Sequence, residues 1–562
     1  MASQKLSGRQ VLAGAVKGQR RDVVVGTLLG ACHQFGEALV PVLIGVVIDR
    51  AVSKGDSGAL VRWLAVLALM YVGLSLGFRF GARAGERAAE QAAHLLRVEL
   101  VRRVLDPRGG VERGRLPGAL ASIATEDAKR VGAVNMAVTT GVSSLTGILV
   151  SAAALLWISL PLGLVVLIGT PVLLWLGHLL SKPLEARSEA EQEQAAHASG
   201  IAADLVAGLR VLKGIGAQGA AVDRYRRTSR DSLAATLRAA RAEAWQNGVV
   251  LALTGGFIAL VALVGGRLAL HGDITLGQLV TAVGLAMFLL GPLEVFAWVN
   301  TEFAQGRASA ARIAGVLAAE PDVVPGDAPL PSPVRGALRL RGVTLDALRA
   351  ADLAVAPGEL IGVAVTDPAA AEALLRCLGR TSDPEAGVIE LDGVPMPDLD
   401  PAELRTAVLV AAHDADLFEG TLGDNITAGG TGPAEDAMAA AGADEVVRSL
   451  PLGSAAEVGE GGRSLSGGQR QRVALGRALH AARPVLVLHD PTTAVDAVTE
   501  ARIADGVRRF RHGRTTVLVT NSPTLLAVTD RVAFLDGGRF TAEGAHADLV
   551  RSNAAYRTAV LT

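Results

Sequence analysis

The chain has 562 residues, of which 50% are hydrophobic, 19% are charged and 3% are aromatic, and its formal net charge is −1. This length exceeds that of one domain, and the balanced charge gives no overall indication of nucleic-acid binding. Two cysteines, Cys32 and Cys377, are too few for a disulfide framework or a structural zinc site, so no metal site is expected.

The first part of the chain contains six apolar stretches that are long enough to cross a membrane. A helix needs roughly 20 residues to span about 30 Å of hydrocarbon. Short apolar runs that alternate with helical patterns after residue 310 predict an α/β domain. We expect spans at residues 23–47, 59–78, 133–157, 160–180, 247–270 and 277–300.

These patterns predict three regions in chain order. A transmembrane domain extends over residues 1–318, and a proline-rich linker follows over 319–336. The α/β domain occupies residues 337–562.

The positions of lysine and arginine predict the orientation of the spans. Basic residues are concentrated before the first span, from Lys5 to Arg21, and in two long helical loops that contain Arg79–Arg130 and Lys182–Arg241. The short turns between the other spans contain few of them. Positively charged segments remain on the cytoplasmic side. We therefore expect a multi-pass protein of the cell membrane with both termini and the α/β domain in the cytoplasm.

The most specific motif is VGEGGRSLSGGQRQRVALGRAL at residues 458–479, which TTAVDAVTE follows at 492–500. A glycine pair allows backbone N–H groups to approach an anion closely, and the N-terminus of the following helix attracts negative charge. A serine hydroxyl adds a donor. The central residues of this predicted phosphate-binding surface are Leu465, Ser466, Gly467, Gly468 and Gln469.

These motifs and their spacing resemble the ATP-binding-cassette transporter family, and the membrane segments resemble its exporter type. The segments 114–131 and 205–227 resemble two cytoplasmic loops that, in the family, dock on the ATP-binding domains. The resemblance implies an α-helical six-span transmembrane domain followed by an α/β P-loop-type ATP-binding-cassette domain. It also implies that residues 465–469 bind the γ-phosphate of an ATP held by the opposite subunit.

The family's phosphate loop, GxxxxGK[ST], is altered in this chain. PGELIGVAV (357–365) corresponds to the strand before the loop, and LLRCLG (374–379) corresponds to the helix after it. The remaining residues, TDPAAAEA (366–373), are predicted to form the loop itself.

Each substitution in this predicted loop opposes phosphate binding. Val365 and Ala370 replace the two glycines, Ala371 replaces the lysine, and Glu372 replaces the Mg-binding hydroxyl. Pro368 removes one backbone donor. Negative charge from Glu372 and its neighbours repels a polyanion, at about 4 kcal/mol for one contact at 4 Å in an effective dielectric near 20.

The other positions that contact a chain's own nucleotide in the family differ as well. His489 and Asp490 stand where the family has an aspartate and a glutamate, and His413 replaces a glutamine. Asn521 replaces the switch histidine, and Ala347 occupies the position of the aromatic residue that stacks on adenine. We therefore expect little MgATP binding at this site and no ATP hydrolysis by this chain alone.

An altered site beside an intact signature predicts an obligate heterodimer. The partner is expected to be a second half-transporter with an intact phosphate loop, which holds most of the ATP and Mg²⁺. This chain then contributes residues 465–469 to the partner's catalytic site. Asp496, in the segment after the altered pair, is expected near the dimer seam.

Ionisable residues within the spans predict a cargo cavity. His33 and Glu37 are four residues apart in the first span and share one helix face, and Glu294 lies in the sixth. Such a cavity favours a small cationic or amphipathic cargo, but these groups equally suit bonds to the backbone or between helices. Export of a small molecule is the predicted function. An exporter-fold importer of a metal chelate or siderophore, and a non-transporting regulatory subunit, are the alternatives.

Overall fold

The computed structural model describes residues 6–413 and 416–561. Lys5, one of the basic residues that predict the orientation, lies outside them. The chain divides into two compact units. The helical unit consists of Met1–Val101 and Leu116–Ala318, and the α/β unit consists of Arg102–Arg115 and Ala319–Thr562.

Long helices make up the helical unit. The first of them begins with a capping box, in which Ser7 and Gln10 exchange side-chain and backbone hydrogen bonds. In chain order the helices are α1 (Gly8–Gly18), α2 (Arg20–Val47), α3 (Ser57–Val104), α4 (Pro117–Ser122), α5 (Ala128–Ile158), α6 (Leu160–Ala207), α7 (Leu209–Gly214), α8 (Gln218–Leu270) and α9 (Leu276–Leu317).

The described part of the chain contains five helices that are long and apolar enough to span a membrane, so the expected count of six is not reproduced. Helix α2, which covers the first predicted span, is not one of the five. His33, Gln34 and Glu37 interrupt the apolar surface of α2 near its centre. The five are Ser57–Val104, Pro117–Ile158, Leu160–Leu179, Gln218–Leu270 and Leu276–Leu317.

Two groups of helices pack together in this unit. Helices α2, α5 and α9 contact one another, and α6 packs along α8. Leu155, Leu162, Val261 and Leu285, each at most 1% exposed, form part of the core where α5, α6, α8 and α9 meet. These helices therefore bury an apolar core of their own in addition to the surface that faces lipid.

A buried carboxylate ties the segment just before α5 to the end of α9. Asp127 is 5% exposed and accepts hydrogen bonds from Arg312 (2.7 Å and 2.5 Å) and from the Ser309 hydroxyl (2.9 Å). A buried charge needs such partners to offset its lost hydration. The two helices are thus fixed to each other at this end of the helical unit.

The α/β unit contains a six-stranded sheet and two smaller ones. The strands are β1 (Leu338–Leu345), β2 (Leu348–Val355), β3 (Leu360–Val365), β4 (Ala386–Leu391), β5 (Val394–Pro395), β6 (Val408–Ala411), β7 (Gly420–Thr421), β8 (Glu457–Val458), β9 (Val485–His489), β10 (Thr516–Val519), β11 (Arg531–Asp536) and β12 (Arg539–Gly544). The helices are α10 (Pro368–Leu378), α11 (Pro401–Ala407), α12 (Leu422–Thr427), α13 (Glu435–Ala441), α14 (Ala443–Ser449), α15 (Gly467–His480), α16 (Ala497–Phe510), α17 (Pro523–Ala527), α18 (His546–Ser552) and α19 (Ala554–Leu561).

The largest sheet has the order β12-β11-β3-β10-β9-β6, in which all pairs are parallel except β11 with β12. Antiparallel strands form the second sheet, in the order β2-β1-β4-β5. All six residues of β3 are buried, as expected for a central parallel strand with both faces covered. The carboxyl ends of β3, β9 and β10 therefore meet at one edge of the large sheet.

The predicted linker is ordered against the α/β unit. The carbonyl of Ala319 accepts a hydrogen bond from Arg103 (2.7 Å), and Asp322 forms an ion pair with Arg113 at 2.5 Å. The Arg108 carbonyl accepts a hydrogen bond from the backbone N–H of Asp322 (2.9 Å). Residues 102–115, which connect two membrane helices in sequence, thus fold with the linker.

Arg380 anchors a later part of the linker from inside the unit. Its side chain is 2% exposed and donates to the carbonyls of Val324 (2.6 Å), Pro397 (2.9 Å) and Leu399. It also contacts Asp383 at 3.0 Å. One guanidinium therefore satisfies three backbone acceptors and one carboxylate.

We expect Arg380→Leu to destabilise the α/β unit, because the carbonyls of Val324 and Pro397 lose their donor and that of Leu399 keeps only the Gly326 N–H (3.1 Å). A buried acceptor without a partner costs about 1–3 kcal/mol, so the loss should reach about 3 kcal/mol. Hydrogen exchange of the full chain, measured by mass spectrometry, should accelerate at residues 324–328 and 397–399. Arg339→Leu, at an exposed position of β1, is the matched control. Unchanged exchange in Arg380→Leu would contradict this role.

Candidate nucleotide site

The segment after β3 is a helix where the sequence predicts a loop. Strand β3 ends at Val365, and α10 already begins at Pro368, so the expected loop 366–373 is wrong as a structural prediction. Only Thr366 and Asp367 connect the two elements. Asp367 is the N-cap, Pro368 occupies the first helical position, and alanines follow. These residues favour a helix start so strongly that no open loop forms.

The first turn of α10 uses its own backbone donors. The Asp367 carboxylate accepts from the N–H of Ala369 (2.9 Å), and the Asp367 carbonyl accepts from Ala370 (3.0 Å) and Ala371 (3.2 Å). Ala370 and Ala371 are 1% and 5% exposed. A helix N-terminus normally attracts an external anion, but here a carboxylate of the same chain occupies that position.

Asn521, the residue at the predicted switch position, is hydrogen-bonded to the last residue of β3. Its side-chain oxygen accepts from the Val365 N–H (2.9 Å), and its side-chain nitrogen donates to the Val365 carbonyl (2.8 Å). The next N–H, that of Thr366, donates to the Leu535 carbonyl (3.2 Å). The backbone groups that would face a phosphate are thus bonded within the protein.

His489 and Asp490 lie at the carboxyl end of β9, beside this helix start. The rings of His413 and His489 are 5.1 Å apart, edge to face, and His489 Nε2 is 3.8 Å from an Asp490 oxygen. Asp490 has a φ of 43°, an unusual conformation for a residue other than glycine. Among residues 6–413 and 416–561, no group of three or more His, Cys, Asp or Glu side chains suits a metal ion.

Several of the altered residues line one small cavity of about 120 Å³. Pockets for small molecules usually measure about 300–1,000 Å³. Ala370 and His413 do not line this cavity, and the space between the residues that do is small. The lining includes Val365, Ala371, His489, Asp490 and Asn521, but Glu372 is exposed on α10 instead.

The signature forms the N-terminus of α15. Ser466 is the exposed N-cap, and it exchanges hydrogen bonds with Gln469 in a capping box (3.3 Å and 2.9 Å). Leu465 is 6% exposed and packs in a separate hydrophobic cluster below the helix start. The side chain of Ser466 is thus presented at the start of a 14-residue helix, as the sequence predicts.

Gly468 allows a close contact with a second segment. A Cβ atom at this position would lie 2.5 Å from the Ala494 carbonyl oxygen, whereas one at Gly467 would meet only the Ala494 Cβ, at 3.4 Å. The first turn of α15 therefore rests directly on the backbone that leads to Asp496. This contact explains in steric terms why the second glycine is needed.

Asp496 is the N-cap of α16. It accepts hydrogen bonds from Val498 N–H (3.1 Å), Thr499 N–H (2.9 Å) and the Thr499 hydroxyl (2.8 Å). The bond from the Thr499 backbone, followed by that from its hydroxyl, lowers the pKa of Asp496. Asp496 is thus ionised and fixed at a helix start in this chain.

Ala347 lies partly buried against the core, in the turn between β1 and β2.

The predicted cargo residues are only partly brought together. His33 Nδ1 donates to the Leu74 carbonyl (3.0 Å), and His33 Nε2 is 3.4 Å from Glu37, which also accepts from Gln34 (3.1 Å). His33 and Gln34 line a cavity of about 160 Å³ between α2, α3 and α5. Glu37 does not line this cavity, and Glu294 is exposed on α9.

Sequence reasoning missed two residues that organise the site. Gln471 and Glu500 bond to the segments around the signature and around the altered pair. The run Asp-Pro-Ala-Ala-Ala at 367–371 was itself a readable signal for a helix start. Neither Gln471 nor Glu500 has a comparable local signal, because their partners are distant in sequence.

Two family models match the chain. The model for the ABC transporter transmembrane region matches residues 23–293, and the model for the ABC transporter ATP-binding region matches residues 348–493. Together they cover most of the chain. It belongs to the ABC transporter family, with an exporter-type membrane domain followed by the cassette domain, and it is a multi-pass membrane protein.

Among curated relatives, the chain is 32% identical to a multidrug efflux ATP-binding/permease protein of Mycobacterium tuberculosis, over 94% of this chain and 45% of that protein. It is 29% identical to an ATP-dependent lipid A-core flippase of Thiobacillus denitrificans, over 72% of this chain and 71% of the flippase. The flippase of Bordetella pertussis is 26% identical over 94% of this chain and 88% of its own length. The chain thus spans about half the length of the first of these relatives.

We expect Gly468→Ala to displace residues 493–496, because the new methyl group would overlap the Ala494 carbonyl. Overpacking of this kind costs about 1–3 kcal/mol. Hydrogen exchange of the full chain should accelerate about tenfold in this segment. Gly467→Ala is the matched control and should leave the exchange of residues 493–496 unchanged. Equal exchange in the two variants would argue against the contact.

Proposed function

We propose that this chain is the non-hydrolysing subunit of a heterodimeric ABC exporter and that its signature completes the partner's ATP site. One observation supports this most directly. The backbone N–H groups of Val365, Thr366 and Ala369–Ala371 are all bonded inside the chain. A phosphate could bind these groups only by displacing Asn521, the Leu535 carbonyl or Asp367 from them.

The charges at the start of α10 also oppose phosphate binding. Asp367 and Glu372 are exposed at the start of α10, and Ala371 places no cation there. A triphosphate would therefore meet two carboxylates without a compensating lysine, at about 4 kcal/mol for each close contact. The His489–Asp490 pair offers a single carboxylate for hydrated Mg²⁺, which prefers oxygen ligands.

The signature supports the second half of the proposal. Ser466 and the glycines after it are unchanged, and the helix start is exposed to solvent. Two copies of this chain would pair two such surfaces with two closed helix starts, so neither site could hold ATP well. A partner with an intact phosphate loop, Asp-Glu pair and switch histidine supplies what is missing. That partner holds most of the ATP and Mg²⁺, and Asp496 lies near the seam between the subunits.

The proposed organisation follows the sequence. The transmembrane domain extends over 1–318, the linker over 319–336 and the nucleotide-binding domain over 337–562. The basic loops place both termini and the nucleotide-binding domain in the cytoplasm of a cell membrane protein. Closure of the two nucleotide-binding domains on ATP then shifts the membrane domain between inward-open and outward-open states.

The cargo is proposed from the relatives and from α2. The relatives are named for multidrug efflux and for lipid A-core flipping, so we infer an outward movement of a small amphipathic molecule. The Glu37 carboxylate is half-exposed and lies beside His33. Its negative charge favours a cationic group on that cargo. Glu294 is exposed and supplies a second negative charge within the same membrane domain.

The chain purified alone should neither bind MgATP appreciably nor hydrolyse it. A variant that restores the loop, with Val365→Gly, Pro368→Gly, Ala370→Gly, Ala371→Lys and Glu372→Ser, should gain MgATP binding by at least about tenfold, because it regains a cation and free backbone donors. Equilibrium binding of a fluorescent ATP analogue measures this, and Glu372→Ser alone is the control. Hydrolysis by the unmodified chain, at a rate comparable to that of its relatives, would refute the proposal.

The ATPase activity of the complex should require this chain's signature. We expect Ser466→Arg to lower the ATPase rate of the complex by at least about a hundredfold, because a bulky side chain blocks the surface that faces the γ-phosphate. The complex is obtained from native membranes through an affinity tag on this chain. Glu372→Gln, in the inactive site, should leave the rate within twofold of wild type. An unaffected rate in Ser466→Arg would show that this signature is not used.

We expect Glu37→Gln to weaken transport of a cationic dye by about tenfold, because one carboxylate near the cargo becomes neutral. Uptake into inside-out vesicles that contain the complex measures the effect and also gives the direction of transport. A neutral dye of similar size is the control cargo. Glu294→Gln separates the contribution of the second carboxylate. Equal transport of both dyes by wild type and Glu37→Gln would remove Glu37 from the cargo site.

A further inference from the structure

The side chain of Gln471 joins the signature helix to two other segments. From the first turns of α15, its nitrogen donates to the Thr493 hydroxyl (2.6 Å) and to the His413 carbonyl (3.3 Å). Its oxygen accepts from the Ala494 N–H (2.7 Å). One amide therefore bonds to the segment of the expected glutamine and to the segment after the altered Asp-Glu pair.

A steric contact acts on the same segment. Gly468, three residues before Gln471, rests on the Ala494 carbonyl so closely that a Cβ would lie 2.5 Å from it. Ala494 is thus held on its N–H side by Gln471 and on its carbonyl side by Gly468. Two residues later the chain reaches Asp496, which begins α16. The start of α15 and the start of α16 are therefore fixed to each other.

A second set of bonds continues from this segment to the closed helix start. The Glu500 carboxylate in α16 accepts from the hydroxyls of Thr492 (2.7 Å) and Ser522 (2.8 Å). Ser522 follows Asn521, whose side chain bonds to both backbone groups of Val365. Hydrogen bonds of the protein thus connect the altered site with the signature.

We propose that Gln471 is the positioning residue that holds this chain's signature in its ATP-binding geometry while the chain's own site is empty. This inference rests on the proposed function, because it assumes that the signature serves an ATP held by the partner. Gln471 does not contact that ATP. It acts through Thr493 and Ala494, which set the first turn of α15 relative to Asp496.

The bonds to Gln471 suit positioning because they are directional and come from one short side chain. The amide plane fixes a donor and an acceptor on opposite sides of one carbon, so both Thr493 and Ala494 must keep their places for both bonds to form. Without Gln471 the Ala494 N–H loses its acceptor, and the segment gains freedom. The signature would then remain folded but would spend less time in the orientation that suits phosphate.

The test uses the tagged complex from native membranes and measures ATPase rate against MgATP concentration. We expect Gln471→Ala to raise the KM by about tenfold and to change kcat by less than threefold, since the signature grips bound ATP but does not activate the attacking water. Gln471→Glu keeps the acceptor for Ala494, and the Thr493 hydroxyl can donate to its second oxygen. The KM of Gln471→Glu should therefore stay within threefold of wild type.

A double-mutant cycle with Thr493→Val tests whether the two residues act as one unit. The KM of Gln471→Ala with Thr493→Val should match that of Gln471→Ala alone, because the shared bond is already lost. Thr541→Val, on an exposed position of β12, is the matched control and should leave KM unchanged. The Tm of the complex is measured for every variant.

Two results would overturn the inference without affecting the proposed function. One is a KM within twofold of wild type for Gln471→Ala, in a complex whose ATPase is abolished by Ser466→Arg. The other is an equal loss of activity in Gln471→Ala and Gln471→Glu together with a lowered Tm, which indicates a purely structural role. A complex whose ATPase ignores Ser466→Arg would refute the proposed function and this inference with it.

Discussion

The backbone N–H groups at the end of β3 and the start of α10 are already hydrogen-bonded within the protein, and these bonds govern the altered site. Between Val365 and Ala371 the donors already serve Asn521, Leu535 and Asp367. A phosphate would have to replace bonds that are already formed, at the start of a helix that proline and alanine favour. In our proposal these bonds, together with the missing lysine, prevent nucleotide binding at this position.

One domain contains two helix N-termini, those of α10 and α15, whose capping residues differ. Helices α10 and α15 both begin beside a strand edge with a side-chain cap, and both have a positive N-terminal end. At α10 the cap is a carboxylate, Asp367, which neutralises that end. At α15 the cap is the neutral hydroxyl of Ser466, and two glycines leave the backbone open. The two helix starts therefore differ in the charge of their capping residue, and in our proposal only the start of α15 faces a phosphate.

Sequence reasoning identified the elements of this domain but not how they are connected. The buried strand β3, the signature helix and the family were predictable, because each has a continuous local pattern. The helix start at Pro368 was missed because the family pattern suggested a loop, although Asp367 and the alanines favour a helix. Pairings such as Gln471 with Ala494 join residues that are distant in sequence, and no periodicity reveals them.

The closed site and the open signature are physically linked rather than independent features. Suppose that the signature became ordered only when its own subunit bound a nucleotide. Part of the free energy of binding the partner's ATP would then be lost to that ordering step. Here the Asn521–Val365 and Glu500–Ser522 bonds lie beside the altered site, and the Gln471 bonds continue this set of contacts to α15. In the proposed heterodimer the ordering is complete before ATP arrives. The altered residue Asn521 and the unaltered residues Glu500 and Gln471 thus belong to one set of contacts that connects this chain's own site with α15.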